Sequence, residues 1–501
     1  MPELKQRFFA KFAANVATLL LGLASISIVP RALGPAAYGS FEFLTNFFQQ
    51  VTGFLDMGTS TCFYTKASQR PQDHGLMRFY FFFVAAVGVG MLAISTGLAQ
   101  LPVGELIWPE QQWQFVILAC LVGWLAWVTQ VTQKALDARG NTVQSERILL
   151  AQRFFSIGLL ILLFLSGNLN LASYFYYFMT IHALLLFLWG RRLLRENPAL
   201  ESNGGEVGAA SGKYAAEFLH YSSPLLVYAL VGLVVGIADR WLLQYWGGGV
   251  EQGFFGLAFR VGAVCFLFTS AMTQLLTREF SRAWAEENHA RMAELFSRFV
   301  PMFYAVAAYF SVFVAWRADE VVRLFGGGEF SGAATALAVM ALYPMHQTYG
   351  QLSGSVFFAT GQTGLYRNIG VIFMLAGLPL LYVLVAPAEY GGGQMGAFGL
   401  AIKMVALQFM AVNVQLWFNA RLLKLNFYWF LRHQLLVAVA LSGCAWLGTA
   451  AVAQLGFTPW LDFLLSGVAY TGLALVLAHW LPSLFSLRRG ELAQQLVFWK
   501  N

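Results

Sequence analysis

Uncharged apolar runs of about twenty residues recur along the whole chain, and they restrict its fold more than any motif does. "SIGLLILLFLSG" (156–167) and "LLVYALVGLVVGIA" (225–238) contain no Asp, Glu, Lys or Arg. Inside hydrocarbon the backbone has no water to bond, so such a run must close its hydrogen bonds on itself as a helix. Composition points the same way. Of 501 residues, 58% are apolar and only 11% are charged, whereas a soluble domain carries about 25% charged residues. That deficit cannot cover a surface in water, and lipid is the solvent that fits.

About fourteen segments reach the length of a span. The first six lie near 12–32, 41–63, 77–99, 113–134, 148–168 and 170–192. The other eight lie near 219–245, 254–276, 293–316, 331–357, 366–386, 396–419, 430–453 and 459–481. The chain carries a net charge of +7, but its basic residues are not gathered into one patch, which excludes a nucleic-acid surface. They concentrate in alternate loops, such as Lys66, Arg70 and Arg78, then Arg191, Arg192, Arg195 and Lys213. The opposite loops hold Arg31, Arg317 and Arg323. By the positive-inside rule the N-terminus, with Lys5, Arg7 and Lys11, is cytoplasmic, and so is the tail with Arg488, Arg489 and Lys500. The first apolar run is as long as a span and lacks a clear cleavage site, so it is expected to be retained as a helix.

The two halves repeat. "KALDARGNTVQSERI" (134–148) aligns with "SVFFATGQTGLYRNI" (355–369), pairing Ala138 with Ala359, Gly140 with Gly361 and Thr142 with Thr363. "PAAYGSFEFL" (35–44) is matched to "EQGFFGLAFR" (251–260) with a shift of one residue, which sets Tyr38-Gly39 opposite Phe255-Gly256. The expected fold is an all-α polytopic transmembrane bundle. It has a six-helix lobe over 1–192, a polar linker over 193–218, a second six-helix lobe over 219–429, and two further helices with a cytoplasmic tail over 430–501.

Nothing reads as an enzyme. "GAASGKY" (208–214) has Tyr214 where a nucleotide-binding loop needs the magnesium-holding hydroxyl. Cys62, Cys120, Cys265 and Cys444 are far apart, and no histidine pattern suits a metal, so no metal or other cofactor is expected. The informative residues are ionisable groups within spans, where a charge costs about 2.5–3.5 kcal/mol or more. These are Asp56, Asp239, Arg240, Arg260 and Lys403, with Arg31 and Glu42 near span ends. Arg240, Arg260 and Lys403 each fall about 8–10 Å below the outer surface. They form either a positive layer facing a cavity or separate side chains snorkelling to the headgroups. Asp239 needs a partner from another helix, Arg260 and Lys403 being the candidates. Asp56 is either an ion-coupling site or a carboxylate bonded to hydroxyls such as Thr59 and Ser60. Runs of polar residues, among them His346, Gln347 and Gln351, then Gln408, Asn413 and Gln415, suit either interhelical hydrogen bonds or a wet cavity.

"RALGPAAYGSFEFL" (31–44), with Arg31, Leu33, Gly34, Pro35, Tyr38 and Gly39, followed by Asp56 and Gly58, resembles the start of Wzx-type polysaccharide flippases. "IADRWLL" (237–243) and "GFFGLAFRV" (253–261) look like that family's seventh and eighth helices. The resemblance, which covers the first twelve spans, implies the two-lobed fold of the MOP superfamily, which includes the MATE transporters. It implies transfer of oligosaccharide on undecaprenyl pyrophosphate across the inner membrane, for O-antigen, capsule or exopolysaccharide. Arg240, Arg260, Lys403, Asp239 and Arg31 would then serve the substrate, and Asp56 a proton or sodium gradient, with a polymerase and co-polymerase as partners beside membrane lipids. Other readings are a cation-coupled multidrug antiporter of the same fold, a peptidoglycan-precursor flippase with fourteen helices, and a non-transporting scaffold subunit.

Overall fold

Helix is the only regular secondary structure among the described residues, and the described parts of the expected spans lie mostly on it. The computed structural model describes residues 2–70, 72–195, 207–223 and 226–486, without the side chains of 2–21, 207–210, 267–272, 274 and 275. Linker positions 196–206, the tail residues Arg488, Arg489 and Lys500, and the side chains of Lys5, Arg7 and Lys11 therefore lie outside the described residues.

Helix α1, Pro2–Asp56, carries the first two expected spans and breaks between them at Gly34 (φ 71°, ψ 169°). Then follow α2 (Thr59–Gln69), α3 (His74–Ala99), the short α4 (Pro102–Ile107), α5 (Trp113–Ala138), α6 (Thr142–Leu165), α7 (Leu171–Arg195) and α8 (Val207–Ser222). Helix α9, Leu226–Val264, breaks at Gly248 (φ 68°, ψ −171°). Next come α10 (Leu267–Ala285), α11 (His289–Trp316), α12 (Ala318–Gly326), a 3₁₀ turn (Gly328–Ala333), α13 (Ala334–Met340) and α14 (Tyr343–Ala359). The chain closes with α15 (Thr363–Val385), α16 (Gly396–Leu422), α17 (Phe427–Ala453) and α18 (Pro459–Trp480). Ten helices among the described residues are long and apolar enough to cross a bilayer, α9 counting as one of them. The expected spans at 41–63, 219–245, 254–276 and 331–357 are each divided between two or more helices. The surface is what lipid demands: Phe82 is 71% exposed and Leu165 76%, which a water-facing helix would not tolerate in such density.

Local chemistry sets the helix ends. Asp73, Asn288 and Asn426 cap α3, α11 and α17, each side-chain oxygen accepting a hydrogen bond from a backbone N–H three residues on, as N-caps do. The repeat reappears as one C-terminal motif built twice. Gly140 (φ 82°) and Gly361 (φ 72°) take the left-handed conformation two residues beyond α5 and α14. The next N–H, from Asn141 or Gln362, donates back to Leu136 or Phe357, closing a Schellman turn.

By contact the chain forms two compact units, Met1–Gly253 and Phe254–Asn501. The first packs around Phe63, Tyr80, Trp127, Trp189 and Phe218, and the second around Phe280, Phe296, Tyr304, Tyr349 and Tyr470. The expected lobes group the spans by repeat. Contact instead places residues 226–253 with the first unit, because Gly39 and Gly253 let the corner after Gly34 touch the corner after Gly248. A Cβ on Gly39 would stand 1.7 Å from the Gly249 carbonyl oxygen, and one on Gly253 2.1 Å from that of Pro35. In the second unit, α17 and α18 pack on each other and α17 packs on α11. Buried Arg317 fastens that pair, donating to Asp462 Oδ2 at 2.6 Å and Ser466 Oγ at 2.9 Å and pairing with Glu320 at 2.9 Å.

The glycine corner predicts two unequal substitutions. Gly140→Ala enters open space and carries only the left-handed backbone cost of about 1–2 kcal/mol, so it should lower the midpoint of thermal unfolding in detergent modestly. Gly39→Ala should abolish monodisperse protein, and a Gly39→Ala chain as stable as wild type would contradict the close approach.

Candidate functional site

In the first unit the polar groups gather where α1 ends. Asp56 closes α1, Met57 (φ 40°) and Gly58 (φ 78°) turn left-handed, and α2 begins at Thr59. The Asp56 carboxylate sits over the first turn of α2, where free N–H groups and the helix dipole favour an anion. Oδ1 accepts from Ser60 N (3.1 Å), Trp127 Nε1 (3.1 Å), Thr59 Oγ1 (3.3 Å) and Tyr80 Oη (3.3 Å), and Oδ2 accepts from Ser60 Oγ (2.8 Å). Lys134 Nζ donates to Ser60 Oγ at 2.6 Å, which places a cation one hydroxyl away. Thr59 and Ser60 are the partners the sequence suggests. Tyr80, Trp127 and Lys134 come from α3 and α5, and no local pattern announces them.

Helix α8 docks against this cluster. Phe218 stacks on Tyr80 with centroids 5.1 Å apart. Tyr214 Oη donates to Asp73 Oδ1 at 2.7 Å. Glu217 pairs with Arg70 at 3.3 Å and Lys66 at 3.6 Å. Burial alone would push the Glu217 carboxyl up. The Arg70 hydrogen bond and the charges of Arg70, Lys66 and Lys213 outweigh it, holding the group below its ordinary range.

The predicted cations differ in surroundings. Arg240 is buried, and its Nη1 donates to the side-chain oxygen of fully buried Gln252 at 3.2 Å. The Gln252 amide donates back to the Arg240 carbonyl, tying the two sides of the Gly248 break together. Asp239 is half-buried and Arg31 exposed. Beside the same break lies a cavity of about 490 Å³, lined by Ala36, Ser40, Glu110, Gln112 and Gly248 among others. Glu110 Oε2 accepts from Gln244 Nε2 at 3.2 Å and Gly249 N at 3.3 Å.

Arg260 and Lys403 belong to the second unit, Arg260 half-buried and Lys403 buried. The Lys403 stem lies across Gly377 of α15, where a Cβ would stand 2.7 Å from Cε. The polar residues flagged there bond to one another between helices. Gln408 donates to Gln347 at 2.6 Å, Gln434 to Asn413 at 2.9 Å, Asn419 to the Ser353 carbonyl at 3.1 Å, and Thr273 to Gln351 at 3.2 Å. Interhelical bonding thus accounts for Gln347, Gln351, Gln408 and Asn413. Buried His346 keeps an Nδ1 without a hydrogen-bond partner.

The fold has solved counterparts. A lipid II flippase MurJ, in an inward closed conformation, superposes with a TM-score of 0.66 at 12% identity, over 94% of this chain and 98% of that one. An inward-facing multidrug resistance MATE family transporter of the MOP superfamily gives 0.61 at 15% identity, over 82% and 95%. An outward-facing one gives 0.54 at 16%, over 82% and 96%. No family model and no curated protein matches the chain. At such identities the likeness establishes the fold alone, a multi-pass helical membrane bundle.

The Glu217 pairing makes α8 docking pH-dependent. A carboxyl whose pKa is lowered on folding stabilises the docked state above its ordinary pKa, and that contribution vanishes as pH falls through the lowered value. Proteolysis within α8 should accelerate on acidification in wild type, and Glu217→Gln should be cleaved faster already at neutral pH. Equal protection of the two at neutral pH would show that the ion pair does not hold the helix.

Proposed function

We propose that this chain is a flippase, a carrier rather than an enzyme. It moves undecaprenyl-pyrophosphate-linked oligosaccharide from the cytoplasmic to the outer leaflet for O-antigen, capsule or exopolysaccharide synthesis. One observation carries the reading. Arg240 and Lys403, deep in their spans, are buried in protein rather than extended into lipid, while the span carboxylate Asp56 is already engaged by five hydrogen bonds from its own chain. A carrier of cationic drugs needs an open carboxylate. A pyrophosphate needs buried cations able to make short, charge-assisted contacts.

In this reading Arg240, Arg260 and Lys403 take the pyrophosphate, with Asp239 and Arg31 as accessory groups. The lobes 1–192 and 219–429, joined by the linker 193–218, alternate access, and 430–501 adds two helices and a tail. The chain lies in the inner membrane with both termini cytoplasmic, and works beside a polymerase and co-polymerase. A proton or sodium gradient acts through Asp56. A second reading, a peptidoglycan-precursor flippase, is favoured by the longer coverage of the likeness to the lipid II flippase, which leaves room for α17 and α18.

In a deletion strain that has lost surface polysaccharide, the wild-type gene should restore it. Arg240→Ala and Arg260→Ala should each fail while leaving normal amounts of protein in the membrane, and Asp56→Asn should restore it only partly. Normal polymer with both arginine variants would overturn the reading. Rescue of a strain depleted of its peptidoglycan-precursor flippase, without any polysaccharide effect, would move the assignment to the second.

A further inference from the structure

The first unit holds a half-buried basic group within an apolar helix that has no place in the assignment above. By its sequence position Arg153 belongs with the cytoplasmic loop charges, because its span is expected to begin near residue 148. Helix α6 instead begins at Thr142 and ends at Leu165, so Arg153 stands midway along it, roughly 17 Å from either end at 1.5 Å per residue. Helix α7 packs on α6, and His182 stands next to its midpoint. Tyr177 and His182 are the ionisable side chains beside Arg153. Thr129 of α5 hydrogen-bonds His182 Nδ1 at 3.2 Å, and Ser156 hydrogen-bonds Tyr177. Gln152 and Ser156 are buried.

This guanidinium is uncompensated. Among the described residues no carboxylate pairs with Arg153, and its buried Nε has no hydrogen-bond partner. A cation in the middle of a span carries a cost of several kcal/mol unless something of opposite charge answers it. Thr129 bonds His182 and Ser156 donates to the Arg153 carbonyl, and none of these groups supplies a negative charge. The planar fork of an arginine matches two oxygens of a phosphate at once. A free inorganic anion would itself have to be carried to hydrocarbon depth, whereas a phosphate esterified to a lipid arrives there on its tail.

We infer that Arg153, with His182, Thr129 and Tyr177 around it, forms a phosphate-binding site in the first unit that takes the pyrophosphate of a prenyl-linked substrate. This rests on the flippase reading but adds a cation that reading does not use.

The test is binding of farnesyl pyrophosphate to the purified full-length chain in detergent, with farnesol and inorganic pyrophosphate as separate arms. Arg153→Gln and Arg153→Met should each weaken farnesyl pyrophosphate binding by about tenfold or more without changing farnesol binding. Arg153→Met, which removes an unpaired charge from hydrocarbon depth, should unfold at a higher temperature than wild type. A folded variant of either kind that binds farnesyl pyrophosphate as wild type does would overturn the site. Arg153-dependent binding of inorganic pyrophosphate at similar affinity would identify a general phosphate site, and binding confined to the prenyl ester a lipid-headgroup site. If Arg240→Ala loses binding while both Arg153 variants keep it, the site falls and the flippase reading stands. If wild type binds no farnesyl pyrophosphate, both fall.

Discussion

Lipid offers no hydrogen bonds and no screening, and the rest of this structure follows from that. Backbone N–H and C=O groups in lipid must close within a helix, and helix is the only regular secondary structure among the described residues. Direction can change only at residues that tolerate it, and both long helices break at glycine, α1 at Gly34 and α9 at Gly248. The same solvent favours polar side chains that find partners inside the protein. Gln408 finds Gln347, Gln434 finds Asn413, and Arg317 finds Asp462 and Ser466. The apolar exterior and the bonded interior are two results of one constraint.

Much of this was legible in the sequence because the signals are local. Span positions follow from runs of apolar residues. The turns at Gly140 and Gly361 follow from a repeat that places Ala, Gly and Thr at matching sites. The hydroxyl partners of Asp56 are legible because Thr59 and Ser60 are three and four residues away. What escaped is whatever depends on a second helix. Tyr80, Trp127 and Lys134 reach the Asp56 cluster from α3 and α5, and nothing in their own neighbourhoods marks them. Arg153 was hidden for another reason. A helix can begin in polar sequence, and α6 takes in Thr142, Gln144, Ser145, Glu146 and Arg147 before its apolar run starts. Hydropathy alone therefore sets the start of the helix too late.

The distribution of charge gives the functional reading its direction. Asp56 is held in place as a helix cap with a lysine behind it, so a role in ion coupling would require loosening five hydrogen bonds at once. The intramembrane cations Arg153, Arg240 and Lys403 are retained at depths where an apolar residue would cost nothing. Solved structures of this fold include both a lipid II flippase and multidrug transporters, so the fold leaves the cargo open and the side chains must choose it. Here they favour an anion.

The most direct measurement is translocation in vesicles that contain only the purified chain and a fluorescent undecaprenyl-pyrophosphate oligosaccharide. A membrane-impermeant quencher reports which leaflet holds the label. The account predicts that labelled lipid from the inner leaflet becomes quenchable far faster than in protein-free vesicles, and that an oligosaccharide on a neutral lipid does not. Equal rates with and without the protein, or equal transfer of the neutral analogue, would contradict it.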